Sequence, residues 1–400
     1  LLQGYRRDGA ASPEAEKLGC GADKRTRQEE RREAEDAGKT VIVSLENRCL
    51  LSVVLRSSFV HEIYADSSCY TRDELWMALL KDAGEAHLAG KKFYYILPAV
   101  FRSRTAAFYR ENIEHLKALP LDGFVAKSYD AAAFVRQELG AETPLILDHS
   151  LYSWNSAARD VFLQLAPERD TVPLELNRSE LFARDNHHSE AMVYGYLPLM
   201  TSAQCVHANT EKCDRKRGIL YLKDRYGKYF PVKNNCTECY NTIYNTTPLM
   251  LFDERADFLR MGIAAYRISF TIEEEEQAAF ILDLFERTFL SGKHSVKELF
   301  PDGYTRGHYK RGVEQLLTDL IVELSKYLMT LLFAFYTYEC FSSFRGKLTP
   351  EKRAKIFKRQ MCLMYLIHLD AFLAIYAVTD DIRMILFYVC LLYTSPSPRD

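Results

Sequence analysis

The sequence predicts an α/β protein built on a partial or complete (β/α) TIM-like barrel, with a cysteine-rich extension and a C-terminal all-α transmembrane hairpin. Strand and helix patterns alternate from Lys39 onward, which is typical of βαβ units and a parallel sheet. Four of the ten cysteines then fall between residues 205 and 239, and two long hydrophobic runs follow. We therefore predict a barrel-like domain at 38–199, a cysteine-bearing region at 200–314 and a membrane segment at 315–389.

Composition places the chain among ordinary globular proteins of two or three domains. Its 400 residues are 48% hydrophobic and 26% charged, with a formal net charge of -2. That balance excludes a polybasic nucleic-acid-binding protein. Because no secretory signal pattern opens the chain, we expect residues 38–314 to be cytoplasmic, where clustered cysteines indicate metal or redox chemistry more often than disulfides.

The two ends of the chain are predicted to lie outside the fold. Residues 1–37 include the charged stretch DKRTRQEERREAED, which has no apolar stripe to bury and is predicted to be a solvated linker. The chain starts with leucine rather than methionine, so we expect that an N-terminal portion is missing. Residues 390–400, CLLYTSPSPRD, resemble a translated sequencing adapter and are excluded from the fold.

Seven strands are predicted in the barrel-like domain, from β-branched and aromatic runs such as TVIVSL, KFYYILPAVF and AMVYGYLPL. They begin near residues 41, 59, 93, 123, 144, 172 and 191, with helical-period segments such as RDELWMALLKDAGEAHLAG between them. This spacing favours a (β/α) barrel or a large part of one. An open doubly wound sheet is the alternative. No glycine-rich dinucleotide motif follows any strand, which argues against a nicotinamide or flavin site.

In a barrel of this kind, catalytic side chains lie at the C-terminal ends of the strands. Asp148 and His149 end one predicted strand, and as sequence neighbours they cannot form a protease triad, which needs three converging side chains. They fit a catalytic role and a capping role equally well, and Glu190 fits a scaffold ion pair equally well. The candidate catalytic residues are Asp148, His149, Glu175, Glu190 and Arg267.

The clustered cysteines predict a metal centre. Cys205, Cys213, Cys236 and Cys239 have the spacing C-x7-C-x22-C-x2-C, with one close pair. A zinc ribbon normally has two close pairs, whereas the four thiolates of an iron–sulfur cluster can come from separate loops. We therefore expect an iron–sulfur cluster on these four cysteines, with zinc, or no metal at all, as the alternatives.

Three segments from the last predicted strand onward resemble the peptidase U32, or collagenase-like, family. They are EAMVYGYLPLMTSAQC (190–205), LKDRYGKYFPVKNNC (222–236) and LRMGIAAYRISFT (259–271). The family pattern has a strand with E-x-F-x-x-G, then a cysteine-bearing loop, then a D-x-x-G-x-[YF] hairpin that ends near another cysteine. The resemblance covers about residues 38–314 and is that of the C-terminal part of a longer member.

The resemblance implies a particular chemistry. Members were named as proteases, yet several are oxygen-independent hydroxylation factors that act on a tRNA uridine, a ribosomal RNA cytidine or ubiquinone precursors and hold a [4Fe-4S] cluster. Cys205, Cys213 and Cys236 match family cysteines, whereas Pro198 stands where the fourth would be, so Cys239 is its expected substitute. The resemblance thus implies an RNA-base hydroxylase. A U32 peptidase is one alternative, and a non-catalytic scaffold partner of a homologous protein, or of a missing N-terminal barrel half, is another.

Aromatic and basic residues alternate around the cysteines, which favours a surface for single-stranded RNA. Phosphate contacts with cations supply affinity on such surfaces, and stacking on aromatic rings holds the bases. Cross-strand packing in a β-hairpin is the alternative role of the tyrosines. The RNA-binding candidates are Arg215, Lys216, Arg217, Lys223, Arg225 and Lys228.

The hydrophobic runs LTDLIVELSKYLMTLLFAFYTYECF (317–341) and MCLMYLIHLDAFLAIYAV (361–378) have membrane-spanning length. The basic segment RGKLTPEKRAKIFKR joins them and is predicted to face the cytoplasm. A buried helical hairpin is the alternative, because Glu323 and Lys326 interrupt the first run. The segment resembles the start of a SEDS (rod-shape and division) polysaccharide polymerase, and we interpret the chain as two adjacent genes joined.

Overall fold

The computed structural model describes residues 39–210, 213, 215, 217–300, 303–311, 349, 351 and 355. The predicted linker at 1–37, the hydrophobic runs at 317–341 and 361–378 and the tail at 390–400 lie outside the described residues and stay predictions. Within the described part of the chain, no helix is long and apolar enough to cross a membrane. The chain divides into two compact units, residues 1–307 and 308–400, and the fold and sites described below belong to the first.

Thirteen strands form within the described residues: β1 Thr40–Leu45, β2 Glu62–Asp66, β3 Lys92–Ile96, β4 Gly123–Ala126, β5 Leu145–Leu147, β6 Arg169–Thr171, β7 Ser189–Gly195, β8 Pro198–Ser202, β9 Ile219–Lys223, β10 Tyr229–Asn235, β11 Tyr240–Tyr244, β12 Leu249–Met250 and β13 Ala265–Phe270. Eight of them, β1 to β7 and β13, are parallel and close into a barrel, because β6 pairs with β7, β7 with β13 and β13 with β1. The predicted TIM-like barrel is confirmed and complete. Its closure excludes the open doubly wound sheet.

Helices alternate with the barrel strands, as the sequence pattern predicts. Those within the described residues are α1 Leu51–Arg56, α2 Leu75–Leu88, α3 Ser103–Glu111, α4 Ile113–Ala118, α5 Tyr129–Phe134, α6 Ser156–Leu163, α7 Arg178–Ala183, α8 Val206–Thr210, α9 Arg255–Arg260, α10 Glu275–Phe285 and α11 Val296–Leu299. The eighth barrel strand, β13, comes from the motif LRMGIAAYRISFT, inside the range 200–314. The barrel is therefore closed by a strand that follows the cysteine-bearing segment.

Alternation along each strand decides which side chains fill the barrel and which reach its mouth. A buried, mostly apolar cluster lies on one face of the strands: Ile42, Tyr64, Tyr94, Ile96, Val125, Ile146 and Ala265. Two residues further along the same strand faces, toward the C-terminal ends, polar side chains follow: Ser44, Asp66, Lys127, Asp148 and Arg267. The pattern that buries the core therefore also delivers polar groups to one end of the barrel.

A four-stranded antiparallel sheet lies over that end of the barrel. Its order is β8-β11-β10-β9, and all four strands belong to the connection between β7 and β13. Gly195 ends β7 where this connection begins, and a Cβ atom there would lie 2.9 Å from Ser269 Cβ on β13. Only glycine allows the two barrel strands to approach so closely at this exit point.

The predicted D-x-x-G-x-[YF] hairpin is formed by β9 and β10. Asp224 begins the turn, and its carboxylate accepts hydrogen bonds from the backbone N–H groups of Tyr226 and Lys228, at 2.8 Å each. Gly227 has a φ of 80°, in the left-handed region that glycine adopts without a steric cost. The D-x-x-G spacing therefore encodes a tight turn here.

Candidate functional site

A cavity of about 260 Å³ lies between the strand ends of the barrel and the four-stranded sheet. The barrel contributes charged side chains to it: Glu46, Asp66, Lys127, Asp148, His149 and Arg267. The sheet contributes Thr201, Asn235, Tyr240, Thr242 and Tyr244. We call this the mouth cavity. This volume suits one ring-sized ligand.

Three of the predicted catalytic residues, Asp148, His149 and Arg267, meet in the mouth cavity. The Asp148 carboxylate accepts a hydrogen bond from Arg267 Nη2 and lies 3.0 Å from His149 Nδ1. Burial alone would raise the pKa of Asp148, but the Arg267 guanidinium and His149 hold that pKa well below its ordinary value. Asp148 is therefore a fixed anion that orients the His149 ring.

The other two predicted catalytic residues, Glu190 and Glu175, do not line the mouth cavity. Glu190 is fully buried on β7, with Arg267 Nη1 3.0 Å from its carboxylate and the Tyr64 hydroxyl donating to it at 2.9 Å. Glu190 therefore has the geometry of a scaffold ion pair, the alternative to the catalytic role predicted for it. Glu175 follows β6, and its Oε2 is buried without a hydrogen-bond partner among the described residues.

A second charged network, which the sequence did not predict, joins the four-stranded sheet to the barrel. Lys233 Nζ lies 3.1 Å and Lys127 Nζ 3.5 Å from the Glu46 carboxylate, and the Tyr244 hydroxyl donates to that carboxylate at 2.5 Å. Lys127 also pairs with Asp66 at 2.7 Å. Burial would raise the pKa of Glu46, but Lys233 and Lys127 together lower it to about 2. Glu46 therefore links two strand ends of the barrel to two strands of the sheet.

A larger cavity of about 960 Å³ is lined by all four cysteines that we predicted as ligands, and we call it the cysteine cavity. Cys205 directly precedes α8 and Cys213 follows it, whereas Cys236 and Cys239 lie in the turn between β10 and β11. Cys239 has a φ of 57°, an uncommon left-handed conformation for a residue with a side chain. Two separate segments thus bring four thiols to one cavity.

The sequence profile of peptidase family U32 matches residues 72–300, more than half of the chain. The chain belongs to peptidase family U32. The match includes the four cysteines, the four-stranded sheet and six of the eight barrel strands, whereas β1 and β2 precede it. The resemblance seen in the sequence is confirmed at the level of the family.

Three solved structures resemble this U32 chain weakly and share little sequence with it. The C-terminal domain of a putative chitinase from Desulfitobacterium hafniense DCB-2 has a TM-score of 0.37 and 10% identity, covering 63% of this chain and 99% of that one. An uncharacterized B. cereus protein has a TM-score of 0.32 and 12% identity, and the match covers 61% of this chain and 65% of that one. Orotidine 5'-monophosphate decarboxylase from Metallosphaera sedula has a TM-score of 0.32 and 12% identity, and the match covers 63% of this chain and 99% of that one. No curated protein matches the chain. These scores are too low to indicate a shared function.

The cysteines of this U32 chain suit an iron–sulfur cluster in donor type, and all four line one cavity. Such clusters need thiolates, which can come from separate loops around one cavity. Within the described residues, however, no group of three or more His, Cys, Asp or Glu side chains converges closely enough to hold a metal ion. Metal binding would therefore have to draw the thiols together, as happens where ligation is coupled to local folding.

The substitution of Cys239 for the family's fourth cysteine is compatible with the geometry. Pro198, which stands in the family position, begins β8 and lines the mouth cavity, not the cysteine cavity. Cys239 lines the same cavity as Cys205, Cys213 and Cys236. All four predicted ligands therefore line one cavity, and Pro198 does not.

The mouth cavity and the cysteine cavity share a wall. Asn235 and Tyr240, which are paired across β10 and β11, line both cavities. Asn235 Oδ1 is buried and has no hydrogen-bond partner among the described residues. A buried hydrogen-bond acceptor without a partner lowers the stability of the folded state, because its lost hydration is not replaced. A ligand that donates a hydrogen bond from either cavity would supply that partner.

The predicted RNA-binding residues fall into two groups. Arg215 and Arg217 line the cysteine cavity, where Arg72, Arg102 and Arg104 join them although the sequence did not single these three out as RNA-binding residues. Packing between distant segments brings α3 and the loop after β2 beside the cysteines. Such contacts cannot be predicted from a local sequence pattern. Lys216 lies outside the described residues.

The second group of cations lies on the β9–β10 hairpin. Lys223 Nζ is 5.3 Å from the centre of the Tyr229 ring, and Arg225 Cζ is 4.7 Å from that of Tyr226. These two rings are 55% and 72% exposed, so they do not pack in a core. Lys228 follows the turn. The exposed tyrosines are available for stacking, whereas Tyr240 and Tyr244 of the same sheet are buried and pack, as the alternative reading expected.

Proposed function

We propose that this U32 chain hydroxylates an RNA base without molecular oxygen, with an iron–sulfur cluster on Cys205, Cys213, Cys236 and Cys239. The hydroxyl group comes from an organic co-substrate, which takes up the hydrogen that the base loses and is thereby reduced by the two electrons that the base gives up. One observation carries the proposal: the cavity lined by these cysteines and the cavity at the barrel mouth have Asn235 and Tyr240 in common. A cofactor in the first cavity would therefore stand next to a ring-sized ligand in the second.

When bound, a [4Fe-4S] cluster supplies redox or Lewis-acid chemistry beside the substrate. The residues of the mouth cavity bind and orient the base. Its volume suits a single ring, so a paired base has to be flipped out of its helix to enter. Asn235 Oδ1 can accept a hydrogen bond from a ring N–H or an amino group, and the Tyr196 and Tyr240 side chains line the same space.

His149 is the residue that can move a proton in the mouth cavity. The Asp148 carboxylate, 3.0 Å from His149 Nδ1, favours the tautomer with the proton on Nδ1 and leaves Nε2 as the acceptor. Burial would lower the pKa of Lys127, but Asp66 and Glu46 raise it above its ordinary value. Lys127 is therefore a fixed positive charge that can stabilise an oxyanion developing on the ring.

A collagenase-like peptidase is the second candidate, because the Asp148–His149 contact is also the acid–base pair of a hydrolase. Ser150 does not complete a triad, since its hydroxyl donates to the Lys127 carbonyl oxygen at 2.8 Å. The nucleophile of a peptidase would therefore be a water molecule. A cavity of about 260 Å³ also has little room for an extended peptide, which places the peptidase second.

Metal analysis of the full chain, purified without oxygen, tests the cluster. We expect about four irons and four sulfides per chain, lost when any of the four cysteines of the cysteine cavity is replaced by alanine. Cys49→Ala is the matched control, because Cys49 is exposed and does not line the cysteine cavity. One zinc per chain, or iron that survives these substitutions, would contradict the cluster.

Nucleoside mass spectrometry tests the reaction separately. RNA from cells that express the wild-type chain should contain a base with one added oxygen, and cells that express the Cys236→Ala variant should lack it. Peptide cleavage that survives chelation would instead establish the peptidase. Neither activity, in a chain that binds no metal, would identify a scaffold partner of another protein.

A further inference from the structure

We propose that Arg102 and Arg104, at the rim of the cysteine cavity, bind phosphate groups of the RNA backbone, together with Arg215. This inference rests on the proposed function only in taking RNA as the partner. Neither Arg102 nor Arg104 was predicted to bind RNA. Arg102 directly precedes α3, and Arg104 lies in the first turn of that helix.

The cations of the cysteine cavity differ in what they contact. Arg72 pairs with Glu238 at 3.0 Å and lies over the Phe108 ring at 4.5 Å. Arg217 donates to the Tyr70 carbonyl oxygen and, at 3.0 Å, to Thr237 Oγ1. Both guanidinium groups therefore hold the Cys236–Cys239 turn against the barrel, which is a structural role.

Arg102 and Arg104 have no such role in the described part of the chain. Their side chains are exposed, and no hydrogen bond or ion pair to a described residue engages either guanidinium group. They nevertheless line the same cavity as the four cysteines. Their charges are therefore available to a ligand.

The charge balance of the cavity favours an anionic ligand. Five arginines line it against two acids, Asp73 and Glu238, although the whole chain has a net charge of -2. Glu238 is already neutralised by Arg72 and also accepts from the Thr105 hydroxyl. The excess positive charge attracts anions, and planar guanidinium groups match the two free oxygens of a phosphodiester.

The position of these arginines suits an RNA chain. The cavity that these arginines line adjoins the mouth cavity at Asn235 and Tyr240, so RNA backbone bound in the cysteine cavity would neighbour the cavity that receives the base. Phosphate contacts fix the register of a nucleic acid without reading its sequence. The rim would thus position the RNA while the mouth cavity selects the base.

The test is RNA binding by the full chain across a series of salt concentrations, measured by fluorescence anisotropy with a labelled oligouridylate. The double variant Arg102→Gln, Arg104→Gln should bind more weakly than wild type. Its plot of log affinity against log salt should be shallower by about 1.4, since each phosphate contact on a single strand contributes about 0.7. The matched control is Arg110→Gln, an exposed arginine on the same helix that pairs with Glu138 outside the cavity.

Iron content is measured on the same samples, and polyglutamate is added as a competitor. An unchanged slope in the double variant, or a wild type that does not bind the oligouridylate, would overturn the phosphate site. Loss of iron in the double variant would also overturn it, by assigning the arginines to the cluster. Competition by polyglutamate as strong as that by RNA would assign the rim to an acidic protein. A changed slope in a chain that modifies no base would uphold the site and refute the hydroxylase.

Discussion

The two cavities of this chain differ in how their charges are satisfied. In the mouth cavity, each of Glu46, Lys127, Asp148 and Arg267 has an oppositely charged partner on another strand. In the cysteine cavity, Arg102, Arg104 and Arg215 are exposed, and the thiols do not converge. The mouth is thus organised before any ligand arrives, whereas the cysteine cavity has groups that only a ligand would bring together.

Among these substitutions, Arg267→Met in the mouth cavity should lower the free energy of unfolding most. The substitution leaves the carboxylates of Asp148 and Glu190 buried without their shared cation, and we expect a loss of roughly 3–5 kcal/mol in the free energy of unfolding. Urea denaturation measures it. The control is Arg260→Met, because the Arg260 side chain is 63% exposed and should cost less than about 1 kcal/mol. Equal losses in the two variants would show that the buried network does not organise the mouth.

Glu46→Gln should change how the free energy of unfolding depends on pH. The pKa of Glu46 is lowered from 4.5 to about 2, so the stability that its charge contributes is complete above the ordinary value and is lost as the pH falls toward 2. We expect a difference of about 3 kcal/mol between wild type and variant at neutral pH, since one pKa unit corresponds to about 1.4 kcal/mol. Urea denaturation on descending pH should show the difference shrinking. A difference that stays constant would mean that Glu46 acts through packing and not through charge.

Asn235→Ala should have the smallest effect on stability and a selective effect on activity. Asn235 Oδ1 has no hydrogen-bond partner to lose among the described residues, and its Nδ2 reaches only Thr242 Oγ1 at 3.4 Å. If Asn235 positions the base, the rate of RNA modification should fall about threefold to tenfold, the equivalent of one hydrogen bond of roughly 0.5–1.5 kcal/mol.

Asn234→Ala is the control for this effect. Asn234 is the neighbouring residue on β10 and is also buried. Its Oδ1 has no hydrogen-bond partner among the described residues, and it lines the cysteine cavity but not the mouth cavity. Its modification rate should stay at the wild-type level when the iron content is equal. The same fall in both variants would remove any special role of the shared wall.

The sequence was most informative where local pattern determines structure. Buried strands of a parallel barrel read as continuous β-branched and aromatic runs, so each predicted strand start lies within three residues of an observed one. Asp148 and His149 were found because polar residues directly after such runs lie at the mouth of the barrel. The Asp224–Gly227 turn was likewise encoded by four consecutive positions.

Contacts between distant segments could not be predicted in this way. Glu46 meets Lys233 across 187 positions, and nothing in the local sequence of either residue indicates the other. The basic run after Cys213 was interpreted as one surface. The start of β9 at Ile219 divides it, because the chain then leaves the cysteine cavity for the hairpin.

The insertion of the cysteine-bearing segment between β7 and β13 has a consequence for synthesis of the protein. β1 pairs with β13, Thr40 opposite Ala265, so the first strand emerges from the ribosome long before its second neighbour exists. Such distant pairings form slowly and leave strand edges open in the nascent chain. All four thiols of the cysteine cavity are translated within that interval. They are therefore exposed to the cell before the last strand closes the ring.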